Sequence, residues 1–527
     1  MQNLTYTKTG RPEFDTLIPQ IRGFLEKDTM EMLIDGDRIR GYRSPDTPAV
    51  WIRDHSDIMR GARFFEQDLT SAVTHFADTQ ARNGRIFDYF TVQPEKVPCE
   101  KENWTKYVRV PVEADVEYRF IKATFLAWQA TGDDLWMASL IPSMEKALNY
   151  AFTHPWRWDS ELQLVKRPYT IDSWDFAYSA GSHDWLQFQI DENTFWGIMH
   201  GDNSGFYEAC ILLAKMLTRD QQEEKAAHWT RFAGELKKRM NETCWNGSFY
   251  THFVKRTPVE IEGLDEASQL SFSNPMNVNR GATSHEQAVS LLNEYQRRNA
   301  DGNAFAEWYS ITPPFPDGIF GEEKMVGGAY CNGGIMPLVG GELARAYLEH
   351  GFEEQGINTL KTYQQLISKN NETYLWYFPD GTASSIDTST SPDAMPTDGW
   401  GSSSMLHAYI EGLVGVQDQQ SLLQDLVIAP RWHAAGVAEA EAGVGYECSG
   451  AQLQYAYRET GDSVSLSLQS SQSRCKCHLQ IPEGVTVASV KAAGESIDFR
   501  QSKVQASNYV DFSLKVAGGA DVEISFQ

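Results

Sequence analysis

A chain of 527 residues is too long for one ordinary core, so it predicts either two or more domains or one large helical toroid. Hydrophobic residues at 41% and charged residues at 22% exclude a disordered or fibrous chain. Lys and Arg total 46 against 71 Asp and Glu, and the formal charge of -25 repels phosphate backbones and anionic lipid, which excludes nucleic acid and membrane as expected partners.

The N-terminus, Met1 to Lys8, has no apolar segment behind a basic start, and no run of roughly eighteen apolar residues follows anywhere. Neither a classical secretion signal nor a membrane span is expected. Seven scattered cysteines fit reduced thiols in a cytoplasm better than a disulfide framework. Cys475-Lys476-Cys477 is too closely spaced for the usual zinc knuckle, so no metal and no other cofactor is expected.

Trp51-Ile52-Arg53-Asp54-His55 lies in a short apolar approach, with Ala49 and Val50, to a helix expected to begin near Asp57. A guanidinium beside a carboxylate can hold neighbouring sugar hydroxyls with donors and acceptors together, while Trp51 offers a flat apolar face. An Arg-Asp pair that caps the helix explains the same residues. From about residue 15 to residue 415 the dominant signal is helical, and the helices come in pairs. Tyr118 to Thr131 carries Phe120, Ile121, Thr124, Phe125 and Trp128 at three- and four-residue spacing, Gly132-Asp133-Asp134 breaks it, and Leu135 to Phe152 resumes. The pattern repeats over 206–217 with 221–240, and over 335–349 with 352–367. Such tandem αα-hairpins predict an (α/α)6 toroid, whose inner helix ends and loops build a central funnel. Long aromatic loops over 156–185, 308–334 and 376–400 exceed normal connections and predict function.

Within the first of these loops, Asp172-Ser173-Trp174-Asp175-Phe176 puts Asp175 between large aromatic rings, and desolvation there keeps a carboxyl protonated, as a general acid must be. Turn formation and capping are the plain alternative for both aspartates. Asp202-Asn203-Ser204 precedes the next helix, where Asp202 serves either as an N-cap or as a substrate contact. Asn332, in Tyr330-Cys331-Asn332-Gly333-Gly334, reaches a sugar hydroxyl or organises its own turn. Glu307-Trp308-Tyr309 reads as packing. Asp387 lies in a Ser/Thr-rich segment, Ser384 to Pro392, that would hold it ionised and suited to activate water; Asp380 and Asp393 compete with it. Thr397-Asp398-Gly399-Trp400-Gly401-Ser402 then opens a helix, with Trp400 as a further sugar-facing ring.

Beyond Val427-Ile428-Ala429-Pro430 the period changes to two. Val464 to Leu468, Phe512 to Val516 and Val522 to Phe526 alternate strictly, with Gly461-Asp462 and Gly518-Gly519 as turns. The expected architecture is mainly α: a toroid over 1–426 followed by a small antiparallel β-sandwich over 427–527.

Trp174-Asp175-Phe176, Asp202-Asn203 opening a helix, and Gly399-Trp400-Gly401-Ser402 after a carboxylate loop together resemble the six-hairpin glycosidases, particularly trehalase and the relatives of processing α-glucosidase I in glycoside hydrolase families 37 and 63. Trp51 to Asp54 is similar to the sugar-gripping segment of glucoamylases, and the chain after Pro430 resembles the β-domain of α-L-rhamnosidases. The resemblance implies an inverting exo-glycosidase acting on a small carbohydrate, with Asp175 as acid and Asp387 as base, where those families usually carry Glu. Trp51, Arg53, Asp54, His55, Trp174, Asp202, Asn332 and Trp400 would bind the substrate. An α-L-rhamnosidase, a polysaccharide lyase with a Tyr, His or Arg cluster, or an epimerase centred on His55, His200 and His407 would use the same toroid. A sugar-binding protein would keep the aromatic platform and lack one carboxylate.

Overall fold

The structure is a computed structural model that describes residues 3–44, 47–93, 100–102, 106–108, 113–172, 174, 178, 190, 192–321, 323–389 and 395–527. Asp175, Phe176, Asp393 and Cys99 lie outside the described residues.

Twelve helices of seven residues or more occur among the described residues. They are α1 (Leu17–Lys27), α2 (Ile52–Ala62), α3 (Ser71–Asp78), α4 (Val116–Thr131), α5 (Asp134–Thr153), α6 (His200–Arg219), α7 (Glu223–Cys244), α8 (Ser273–Asn279), α9 (His285–Asp301), α10 (Pro337–Glu349), α11 (Glu353–Asn370) and α12 (Gly399–His407). Each even-numbered helix packs on the next, and α12 returns to α2, so six inner helices close a ring. The odd-numbered helices pack outside it. Burial follows this division: α4 and α6 are buried on nearly every side, whereas α7 and α9 bury one stripe of Ala226, Trp229, Ala233, Leu236 and of Ala288, Leu291, Leu292, Tyr295.

Inner helix runs to outer helix through short turns. After α4 the chain reverses at Gly132, left-handed at φ 67°, and Asp133 accepts Trp136 N–H at 2.9 Å to begin α5. Outer runs to inner through the long loops, over 79–115, 154–199, 245–272, 302–336 and 371–398. Because alternate helices are antiparallel, all inner helices point one way, and every long loop is delivered to the same face at their N-termini. That face is the mouth of the expected funnel.

The strands are β1 (Tyr6–Lys8), β2 (Thr29–Ile34), β3 (Asp37–Tyr42), β4 (Ala49–Trp51), β5 (Tyr89–Thr91), β6 (Asp425–Ile428), β7 (Glu439–Tyr446), β8 (Ala451–Glu459), β9 (Ser463–Ile481), β10 (Val487–Ala492) and β11 (Ser507–Phe526), with shorter ones between. The C-terminal strands form one hydrogen-bonded ten-stranded sheet in the order β1-β7-β8-β9-β11-β10, rather than two separately paired sheets. It is antiparallel except where β6 runs parallel to β9. The expected turn at Gly518-Gly519 does not separate two strands. Gly518, at φ 86°, sits inside the twenty-residue β11 where the register with β9 slips between Ser470 and Ser473, so glycine there admits a bulge and the strand continues. Cys475 and Cys477, two residues apart on β9, point into the same core face.

The first strand belongs to this last sheet: Tyr6, Thr7 and Lys8 pair with Gly443, Ala442 and Glu441. The sheet is tied to the helices by Tyr509 and Ser507 donating to Glu353, and by Arg22 on Glu447 at 2.7 Å. No helix among the described residues is long and apolar enough to cross a membrane.

Candidate active site

The β2-β3 hairpin delivers Arg43 and Ser44 to the mouth of the ring, and the N-terminal ends of α2 and α12 supply Asp54 and Asp398. The Arg43 guanidinium donates to Asp54 and lies 3.4 Å from Asp398 Oδ2, while Ser44 Oγ donates to Asp398. The same guanidinium lies over the Trp51 ring at 4.5 Å from its centroid. One buried cation thus joins two carboxylates from adjacent inner helices and is backed by an indole. Burial, reinforced by the Asp398 carboxylate, raises the Asp54 carboxyl to about 7 despite the attraction of Arg43. Asp54 therefore changes charge near neutrality.

A third carboxylate stands behind this unit. Asp28, at the end of α1, is pushed well above the ordinary range by burial and then by Asp398. It reaches so close to the start of α12 that a Cβ on Gly399 would overlap its Oδ2. Only glycine opens that helix here, and Asp398 caps it by accepting Trp400 N–H at 2.6 Å.

Arg53, next in sequence to Asp54, turns elsewhere. Its Nε and Nη2 donate to the two oxygens of Asp115 at 2.7 and 2.9 Å, and Glu113 lies 3.2 Å away. Burial would raise the Asp115 carboxyl, but this bidentate pairing and Arg119 hold it down at about 2. The adjacent Arg53-Asp54 grip expected from sequence is instead two pairs, Arg43 with Asp54 and Arg53 with Asp115. His55 is wholly buried; its Nδ1 accepts Tyr42 N–H at 3.3 Å, its ring stacks on Tyr42, and burial lowers it to about 4. It braces the hairpin that carries Arg43.

The aromatic wall assembles from four places. Trp51 meets Tyr89 at 4.6 Å between ring centroids, and Trp174 stands against Phe272, Tyr330 and Trp400 at 4.7, 5.6 and 6.3 Å. Trp400 is fixed by donating its Nε1 to Asp57 at 2.7 Å. Tyr330 lies near enough to Arg43 and Asp54 to feel both charges. Trp51, Trp174 and Trp400 are brought together with Asp54.

The loop that carries Trp174 is anchored by buried polar groups. Asp172, left-handed at φ 38°, has its N–H on His252 Nε2 at 2.8 Å and accepts Ser273 N–H at 3.2 Å and Ser273 Oγ–H. Arg167 donates to the Trp174 carbonyl and holds Asp202 at 3.4 Å, with both side chains fully buried. Asp202 is therefore an internal partner of Arg167, placed beneath the loop. Asn332 accepts Phe315 N–H at 2.7 Å and donates to the carbonyls of Phe315 and Met325, both at 3.1 Å, so its amide organises the turn. Asp387 lies exposed on the one-turn helix Ile386–Thr388. Asp380 is also occupied with a turn, accepting Thr382 N–H at 2.9 Å.

Sequence reasoning passed over Arg43, Asp28, Asp115, Glu113 and Arg167. Arg43-Ser44 at the end of an alternating strand was the one local signal, and nothing local marks the others. Asp398 stands two residues before Trp400 with no local sign that it pairs with a cation.

No protein-family model matches the chain, and no curated protein sequence matches it significantly. Solved structures do. An α-L-rhamnosidase from Dictyoglumus thermophilum superposes with a TM-score of 0.62 at 11% identity, covering 99% of this chain and 50% of its own. The Streptomyces avermitilis α-L-rhamnosidase complexed with L-rhamnose gives 0.60 at 13% identity, covering 99% and 42%. A glycoside hydrolase family 63 mannosylglycerate hydrolase from Thermus thermophilus, in complex with glucose, gives 0.51 at 13% identity, covering 75% and 99%. The fold is therefore the six-hairpin (α/α)6 toroid with an attached β-domain. Within it, this chain spans half or less of the length of the two rhamnosidases and nearly all of the family 63 hydrolase fits inside it.

Proposed function

We propose that this chain is an inverting, exo-acting glycoside hydrolase that removes a terminal sugar, an α-glucoside, from a small oligosaccharide or glycoside in the cytoplasm. The observation that carries this reading is the Arg43-Asp54-Asp398 unit walled by Trp51, Trp174, Trp400 and Tyr330. Charged donors and acceptors beside flat apolar rings are what a sugar's equatorial hydroxyls and C–H faces require. The unit sits at the funnel mouth of a fold whose solved relatives are named as glycosidases and hold rhamnose or glucose.

In this reading Asp54 and Arg43 hold the terminal sugar, Asp175 protonates the leaving oxygen and Asp387 activates a water on the opposite face. Carboxyl groups about 6.5 to 9.5 Å apart leave room for that water and invert the anomeric carbon. An epimerase site is less well supported, because His55, His200 and His407 each have their own partner: Tyr42, Asn277 with Ser271, and Glu411. Burial lowers all three to about 4.

A panel of aryl glycosides and disaccharides, with the released anomer followed by NMR, tests the proposal alongside Asp175→Asn and Asp387→Asn. First release of the inverted anomer from an α-glucoside is expected, and both variants should lose activity by a factor on the order of 100 to 10,000. Retention of configuration overturns the mechanism, and full activity in either variant overturns that residue's role. The α-L-rhamnosidase reading is favoured by one specific observation: the rhamnosidases cover 99% of this chain with its β-domain, the family 63 hydrolase 75%. Turnover of an aryl α-L-rhamnoside in preference to an α-glucoside would select it.

A further inference from the structure

Below the aromatic wall, on the axis of the ring, lies a second polar space that the hydrolase reading does not use. Its ceiling is Asp57, whose Oδ2 takes Trp400 Nε1 at 2.7 Å from above and whose Oδ1 takes Arg119 Nη1 at 2.5 Å from below. The chamber has room of about 30 Å³, which holds two waters or one small monovalent anion. Five cationic side chains line it against three carboxylates.

The carboxylates are already shared out. Asp57 serves Arg119 and Arg60, Glu342 accepts from Arg60 and from Asn279 at 2.5 Å, and Glu208 accepts from Lys122. Arg280 lies 3.8 Å from Glu208 and spends its Nη1 on the Gly201 carbonyl and Ser204 Oγ, both at 2.8 Å. Arg345, the fifth cation, pairs with Glu411 at 3.0 Å and Glu349 at 3.3 Å, and Arg119 also lies 3.5 Å from Asp115. His407 pairs with Glu411 and is lowered by burial to about 4. Arg60 and Arg119 are 6% and 3% exposed, and the Nη2 atom of each has no hydrogen-bond partner among the described residues. A buried guanidinium N–H without an acceptor is costly, and two on one chamber lined by more cations than carboxylates call for a common acceptor, a place that suits an anion.

We propose that this axial chamber is a structural anion site, taking a monovalent anion of chloride size between the Nη2 atoms of Arg60 and Arg119. The anion supplies the acceptor that these two N–H groups lack beneath Trp400 and so stiffens the floor of the funnel.

Two measurements on the unaltered protein test it. Crystals grown or soaked in sodium bromide should give an anomalous peak inside the chamber, in contact with Arg60 or Arg119. Thermal unfolding at constant ionic strength, with chloride replacing gluconate, should give a saturable rise in Tm of roughly 2 °C or more at chloride far above its Kd, since gluconate is too large to enter. Bromide only at surface positions, or identical Tm in chloride and gluconate, overturns the proposal. Arg60→Met and Arg119→Met, where they fold, should lose the chloride response; a variant that keeps the full response removes its residue from the site.

Discussion

The charge on Asp54 gives the sharpest test of the site, and Asp54→Asn is the perturbation. The side chain is nearly isosteric, so Arg43 keeps a hydrogen-bonding partner while the charge is removed. In the folded chain burial and Asp398 raise the carboxyl from 3.8 to about 7. Unfolded, it returns to the ordinary range. The folded state then binds the proton more tightly, so the stabilising contribution of this group is present at low pH and is lost as pH rises from about 4 to about 7. At 1.36 kcal/mol per pKa unit the loss is at most about 4 kcal/mol, and the shared guanidinium of Arg43 makes roughly 2 kcal/mol the working expectation. Glu117 and Asp418, raised by burial to about 7 and about 6, titrate in the same window. Only the difference between variant and parent isolates Asp54. Urea unfolding of both proteins at pH 4.5 and pH 8 supplies it: Asp54→Asn should gain on the parent by roughly 2 kcal/mol between the two pH values. A difference that does not change with pH would refute the account of Asp54 as a buried, neutral-titrating carboxyl.

Three further outcomes follow from the geometry. Arg43→Met leaves Asp54 and Asp398 buried without their shared cation, so it should cost about 3 to 5 kcal/mol by urea unfolding at pH 8 and less at pH 5, where Asp54 is protonated. Asp202→Asn strips the carboxylate from the fully buried Arg167 and should destabilise by a similar amount, while leaving KM for a sugar substrate nearly unchanged if the purified variant folds; a raised KM alone would return Asp202 to the substrate. Gly399→Ala pushes a methyl into Asp28 and should lower stability by about 1 to 3 kcal/mol, and a neutral result would show that α1 and α12 are free to separate.

The hairpins were legible because their cause is local. Phe120, Thr124 and Trp128 share one helix face, Gly132 and Asp133 stop one helix and start the next, and alternation at Val464 to Leu468 marks a strand without knowledge of its partners. The long loops were legible by length, and their aromatic content pointed to the face where Trp174 and Trp400 meet. The Gly518-Gly519 error shows the limit of local signals, since a bulge and a turn ask the same of glycine and only the register of β9 distinguishes them.

The sequence by itself determined that this is a chain of paired helices with a strand-rich end and acidic, aromatic loops. Which charges belong together was decided only by the tertiary structure. Residues adjacent on a helix project about 100° apart, so Arg53 and Asp54 could not serve one another; they face different neighbours across the ring, Asp115 and Arg43. For Asp202 and Asn332 the sequence left a local role and a substrate contact open, and closure of the ring buried both and gave them internal partners. A carboxylate's role depends on its distance to cations and water, and those distances exist only after six hairpins have closed.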